Sequence, residues 1–204
     1  MLKGVKHDYI MSKKVNHINF IKHYCYFEYE DNIISYLSNN NYHNNEWNEC
    51  SANIITPYYR PINKFNFLEI NKNKFYICVK QIILALYHIY FNCNIKFNTI
   101  NINNIYINNI NKNKYIKYVI NNNTYIINSN YIIKIDSFAT SEIITHLSNN
   151  DYKIFYDNIE NILSDLNITS LLDSIIGIIH EFNNDSENIV HPLKSLNIII
   201  SKLL

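Results

Sequence analysis

The chain has 204 residues, 48% hydrophobic and 14% aromatic, which is enough for one domain with its own core. A formal net charge of +1 with scattered lysines lacks the basic face that nucleic acid requires, which argues against a nucleic-acid partner. The composition is skewed, with 38 Asn and 18 Tyr against 2 Gly, 3 Pro and a single arginine, Arg60; Asn, Ile, Tyr and Lys share AT-rich codons, so genomic bias accounts for the skew and no single Asn is informative alone.

Residues 8–16 read as a helix ending near His17. "FIKHYCYFEYE" (20–30) alternates and is aromatic, as a strand would be. The polar, Asn-rich stretch 38–50 reads as a loop, and "ANIITPYY" (52–59) as a second strand stopped by Pro57 and Pro61. The strongest helical signal covers 74–90, where Phe75, Val79, Ile82, Ile83, Leu86, Ile89 and Tyr90 recur at helical spacing. That helix is apolar around much of its surface, which predicts a central position. Short alternating runs at 105–107, 115–120, 124–127 and 131–135 suit separate short strands or hairpin arms. The lysines 112, 114 and 117 fall in an Asn-rich stretch that reads as a solvated turn. Helices are expected at 151–166, 169–182 and 189–204, with "LLDSIIGII" (171–179) buried and Gly177 tolerated within it. No internal repeat or linker divides the chain, so the expectation is a single α+β domain.

Cys25, Cys50, Cys78 and Cys93 form no CxxC pair and no zinc-site spacing with histidine, which predicts unpaired thiols in a reducing compartment. The stretch "MLKGVKHDYIMSKK" lacks the apolar run of a signal peptide. The other apolar stretches read as interrupted before the ~18–20 residues of a membrane span. The expectation is an intracellular protein, not secreted and without a membrane partner.

The element order, a long apolar helix feeding a patch of short strands and then helices, resembles the protein kinase fold from the helix of its small lobe onward. "VNHINFIKHYCYF" (15–27) is similar to the H-P-N-I-V stretch that leads into the fourth kinase strand; His17 and Asn19 match, and Ile18 replaces the proline. "IITPYY" (54–59) sits where the fifth strand and hinge belong, and "QIILALYHIY" (81–90) resembles the helix before the catalytic loop. Laying "FNTININNIYI" (97–107) over H-R-D-L-x-x-x-N puts Phe97 on the His, Asn98 on the Arg, Thr99 on the Asp and Asn104 on the metal-binding Asn. "IKIDSFATS" (133–141) is similar to the strand and Asp-Phe-Gly motif, with Ser137 on the Asp, Phe138 on the Phe and Ala139 on the Gly. "YDNIENIL" (156–163) resembles the helix whose Asp braces the catalytic-loop backbone, with Asp157 on that Asp. The resemblance covers about residues 8–182 and includes kinase-like proteins of large DNA viruses. It implies a truncated kinase-like fold, with residues 1–60 a remnant of the small lobe and hinge, and 61–204 the helical large lobe.

The departures bear on chemistry. Phosphoryl transfer rests on positioning and charge neutralisation. The glycines, Gly4 and Gly177, lie in no phosphate loop, and Lys3 and Lys6 stand on no third strand. Asp8 is the nearest counterpart of the small-lobe Glu, without its lysine. Thr99 cannot accept a proton near neutral pH, and Ser137 is a weak Mg²⁺ ligand. Asp136 stands one residue early, and a one-residue shift on a strand turns a side chain to the opposite face. No catalytic residue, metal ligand or cofactor is therefore expected. The implied function is that of a catalytically inactive kinase-like module that binds a protein partner, with a host or viral kinase as the target, in the host-cell cytoplasm. The alternatives are an unconventional kinase or ATP-binding enzyme using Mg²⁺, served by Asp136 or Asp157, and a structural protein of a virus particle. His180 with Glu181, and His191 with Asp185, read as surface residues; His17, His23 and Cys25 read as core and edge residues rather than a metal site.

Overall fold

The computed structural model describes residues 2–23, 25–30, 50–55, 59–62, 72–136, 138–166, 171–183 and 189–203. Helix α1 spans Leu2–Lys14, strands β1 and β2 span Cys25–Glu30 and Cys50–Ile55, and β3 is the short Arg60–Pro61. The loop expected at 38–50 lies outside the described residues except for Cys50, which opens β2.

The helical period that begins at Phe75 yields α2, Lys72–Asn92. Val79, Ile82, Ile83, Leu86 and Ile89 are buried as the spacing predicts, but so are Cys78, Gln81, Leu84, Ala85 and Tyr87. A helix enclosed on every side through its middle is the axis of the core. Contrary to the reading from sequence, one apolar stretch does reach membrane-spanning length: Asn73–Asn92 qualifies by length and composition. Two-thirds of that window (67%) is buried within this fold, the behaviour of a core helix.

The short strands expected after this helix merge into one long hairpin, β5 (Ile105–Ile120) and β6 (Asn123–Ile135). They pair from Ile105 with Ile135 to Ile120 with Asn123, with a register irregularity between Asn109 and Lys114. Ile116, Tyr118 and Ile120 point inward and Tyr115, Lys117 and Val119 outward, the period of a half-buried strand. The interspersed Asn residues suggest breaks, yet most sit on the solvated face or at the irregularity, where a polar side chain costs the ladder nothing. Lys112, Lys114 and Lys117 are likewise exposed positions within β5 rather than in a turn. The turn itself is Asn121–Asn122, with φ of 46° and 67°. Two successive left-handed residues match the twist of a tight hairpin, and Asn tolerates them better than other side chains with a Cβ.

Pro61 does not stop the second strand but closes the short edge strand β3. Arg60 and Pro61 pair with Ile107 and Tyr106, making the three-stranded order β3-β5-β6. Strands β1 and β2 form a separate antiparallel pair, as do β4 (Ile95–Phe97) and β7 (Ser141–Ile143). Helices α3 (Asn149–Asp165), α4 (Leu171–Asn183) and α5 (Pro192–Ser201) complete the α+β fold. Ser148 caps α3 in a reciprocal box with Asp151, and Asp151 also pairs with Lys96 at 2.8 Å. Burial disfavours the Asp151 carboxylate, but Lys96 and Ser148 outweigh it and hold the pKa below the usual range. Ser195 lies within 3.0 Å of the Tyr87 hydroxyl and 2.9 Å of the Tyr156 hydroxyl. This buried node joins α2, α3 and α5, and its hydroxyls also donate to the Pro192 and Val190 carbonyls.

Candidate functional site

The segment joining α1 to β1 is pinned to the hairpin by Asn19, which is wholly buried. Its Nδ2 donates to Gln81 Oε1 at 3.1 Å and to the Ile133 carbonyl at 2.8 Å, while its Oδ1 accepts from the Tyr118 hydroxyl at 2.6 Å. Its carbonyl accepts from the Ile135 amide at 2.7 Å. Every polar group of the side chain is thereby used, fixing residues 17–21 against the end of β6. His17 lies beside this node, its ring 4.6 Å from that of His88 and 4.9 Å from that of Tyr118. Burial, then the neighbouring His88, push its pKa down to about 4 against a hydrogen bond to the Lys117 carbonyl.

Residues 97–104 follow β4 and approach α3. Asn158, buried on α3, accepts from the Ile100 amide at 2.9 Å and donates to the Phe97 carbonyl at 2.8 Å. The brace expected of Asp157 is thus made by its neighbour: Asp157 instead accepts from Asn183 at 2.9 Å. An amide suits this position better than a carboxylate because the segment offers one donor and one acceptor. Nothing in the sequence distinguishes Asn158 from the other Asn residues.

Phe97 and Phe138 meet in space, their ring centroids 5.6 Å apart, and Phe20 packs on both at 6.4 and 5.9 Å. An apolar ring at position 97 suits this dry cluster. Beside it lies a cavity of about 220 Å³ lined by Asp8, Thr99, Asn104, Tyr106, Asp136, Ala139 and Thr140. Asn98 lies outside that lining; its amide donates to the Thr140 carbonyl at 3.3 Å, and its Nδ2 donates to Glu142 at 2.7 Å. Thr99, Asn104 and Ala139, singled out from separate stretches, are therefore brought together. Ser137 lies outside the described residues.

The chemistry available to these groups is limited. Thr99 offers no base. The Oδ1 of Asn104 caps a short 3₁₀ turn (Ile102–Asn104) by accepting from the Asn101 amide at 3.3 Å. Asp136 is placed differently from the expectation that its side chain turns away. Strand β6 ends at Ile135, and beyond it the Asp136 carboxylate borders the cavity. Its amide donates to the Asn104 carbonyl at 2.8 Å. Burial, then the nearby Asp8, raise its pKa to about 6, with His23 acting in the opposite sense.

His23 is buried between two carboxylates, its Nε2 3.4 Å from Asp8 Oδ1 and 3.5 Å from Asp136 Oδ1. Asp8, His23 and Asp136 come from α1, the segment before β1, and the end of β6, so no local spacing joins them. The sequence reading associated His23 with His17 and Cys25; the fold associates it with the two aspartates. At the other sites weighed, His180 pairs with Glu160 at 2.8 Å on the surface, and His191 caps α5 by accepting from the Leu193 amide at 3.2 Å.

No protein-family model matches this chain, and no curated protein matches it.

Proposed function

We propose that this chain is a degenerate kinase-like protein, built mainly like a helical large lobe, that acts by binding a protein rather than by catalysis. The observation that carries this reading is the meeting of positions assigned to the catalytic loop and to the Asp-Phe-Gly motif. Phe97 packs on Phe138, and Ala139 lines one cavity with Thr99 and Asn104 although it stands far from both in sequence. Asn158 supports it, bracing residues 97–100 from the helix expected to do so.

The inactive reading is supported by what lines the cavity. Thr99 replaces a base, and Asn104 spends its side-chain oxygen on a backbone amide. The volume of about 220 Å³ is below the ~300–1,000 Å³ typical of small-molecule sites. The ATP-binding alternative draws on one feature, the Asp136 carboxylate at the cavity, but that carboxylate faces Asp8 and His23. A kinase partner is the most direct target for such a module, because a kinase-like surface can compete for contacts between kinases. The test is to mix the purified protein with active protein kinases, measuring complex formation and phosphotransfer rate. Binding with altered activity supports the reading. A protein that binds none of them and transfers phosphate itself overturns it.

A further inference from the structure

We propose that Asp8, His23 and Asp136 form a binding site for a divalent cation of the zinc class, held by a carboxylate–imidazole–carboxylate set. The candidate ligand atoms lie within 4.8 Å of one another. A single cation can therefore reach all of them once the two aspartates close toward each other by up to about 1.4 Å.

Spacing is the first argument. Ligand atoms about 2.0–2.1 Å from a tetrahedral zinc ion stand roughly 3.3–3.5 Å apart. His23 Nε2 stands 3.4 Å from Asp8 Oδ1 and 3.5 Å from Asp136 Oδ1. Those separations are long for a charge-assisted hydrogen bond, which closes to about 2.7–2.9 Å.

The second argument is the state of the atoms themselves. His23 is only 1% exposed. Asp8 Oδ1, Asp136 Oδ1 and both His23 ring nitrogens are buried and make no hydrogen bond among the described residues. Unsatisfied buried polar atoms are rare in a folded protein, and each costs about 1–3 kcal/mol. Three of them, Asp8 Oδ1, Asp136 Oδ1 and His23 Nε2, face one another. A cation there replaces repulsion between two half-buried carboxylates with attraction to both.

The donor set also indicates the kind of ion. One imidazole with two carboxylates suits zinc, and also cobalt or manganese, better than magnesium, which favours all-oxygen shells with several waters. Three protein ligands leave a fourth position, and Asp8 and Asp136 both border the 220 Å³ cavity from which water can fill it. The set uses neither Asn104 nor position 137, where the kinase resemblance would put a nucleotide-bound metal. Its mechanical consequence is a cross-link between α1, the segment before β1 and the end of β6.

The experiment is a titration of the full-length, chelator-treated protein with Zn²⁺ alone, read by calorimetry and thermal shift, with Co²⁺ absorption as the ligand-type readout. One equivalent of Zn²⁺ is expected to bind and raise the melting temperature, and Co²⁺ is expected to give four-coordinate bands without thiolate charge transfer. Asp136→Asn and Asp8→Asn keep side-chain shape, and each is expected to weaken binding by more than about tenfold. Asp8 stands on α1 rather than at the end of β6, so its variant decides the matter if the Asp136 variant does not fold. Absence of Zn²⁺ binding, affinity unchanged in the variants, or a thiolate band assigning the ion to cysteines would each overturn the site. None of these outcomes depends on whether the chain is kinase-like.

Discussion

Asn19 is the residue on which the joint between the first helix and the hairpin turns. Its side chain satisfies Gln81, Tyr118 and the Ile133 carbonyl, all within the buried interior. Replacing it with Ala strands the Tyr118 hydroxyl and opens a small void. We predict a loss of about 2–3 kcal/mol, measured as a lower denaturation midpoint with unchanged m-value. In the sequence Asn19 stood out only as a match to the kinase-like pattern, with no sign of its buried bonds, and Asn158 did not stand out at all, because a composition with 38 Asn gives no reason to pick it. His17 provides a second test at this scale. Its folded pKa of about 4 lies below the ordinary 6.5, so the unfolded chain takes up a proton first as pH falls. The contribution of neutral His17 is present above about pH 6.5 and is lost as pH drops toward 4. His88 and Lys134 face the same ring and oppose its charging, while the Lys117 carbonyl favours it. His17→Gln should therefore flatten the fall in melting temperature between about pH 7 and pH 5 relative to the unmodified protein. An identical fall in both would show that His17 does not titrate across that range.

Among the elements, the long hairpin shows what pattern reading captures and what it loses. The alternation at 115–120 was visible and correct in direction, whereas at 131–135 it is not kept, because Tyr131, Ile132 and Ile133 are all buried. The continuity between runs was not visible, because Asn depresses strand propensity while costing little on a solvated face. The turn hid for a related reason: Asn121–Asn122 replaces the usual Asn-Gly signal in a chain with 2 glycines. Asn122 holds φ at 67°, so Asn122→Gly should stabilise the protein by about 0.5 kcal/mol, seen as a small rise in melting temperature. A destabilisation there would mean that the Asn side chain, not the backbone, holds the turn. The helices were the most legible elements, since a 3.6-residue apolar period survives codon bias as long as Ile and Leu do. The ends of α3 and α5 are set by Ser148 and by His191 with Pro192, signals that local sequence carries.

At the scale of the whole molecule, a single cavity gathers residues from positions 8, 99–106 and 136–140. Sequence order could indicate that the stretches around 97–104 and 136–139 belong together only through the kinase resemblance. It could not indicate that His23 would close on Asp8 and Asp136, because that contact depends on how α1 packs against the end of β6. At about 220 Å³ the cavity is small for a nucleotide. The measurement that tests this most directly is a thermal-shift titration of the pure protein with ATP, with and without Mg²⁺. A ligand specific for the folded state adds about 2.7 kcal/mol at a hundred times its dissociation constant, which is readily seen. The account predicts no Mg²⁺-dependent shift at millimolar nucleotide. A clear Mg²⁺-dependent rise in melting temperature would contradict it and make Asp136 part of a working nucleotide site.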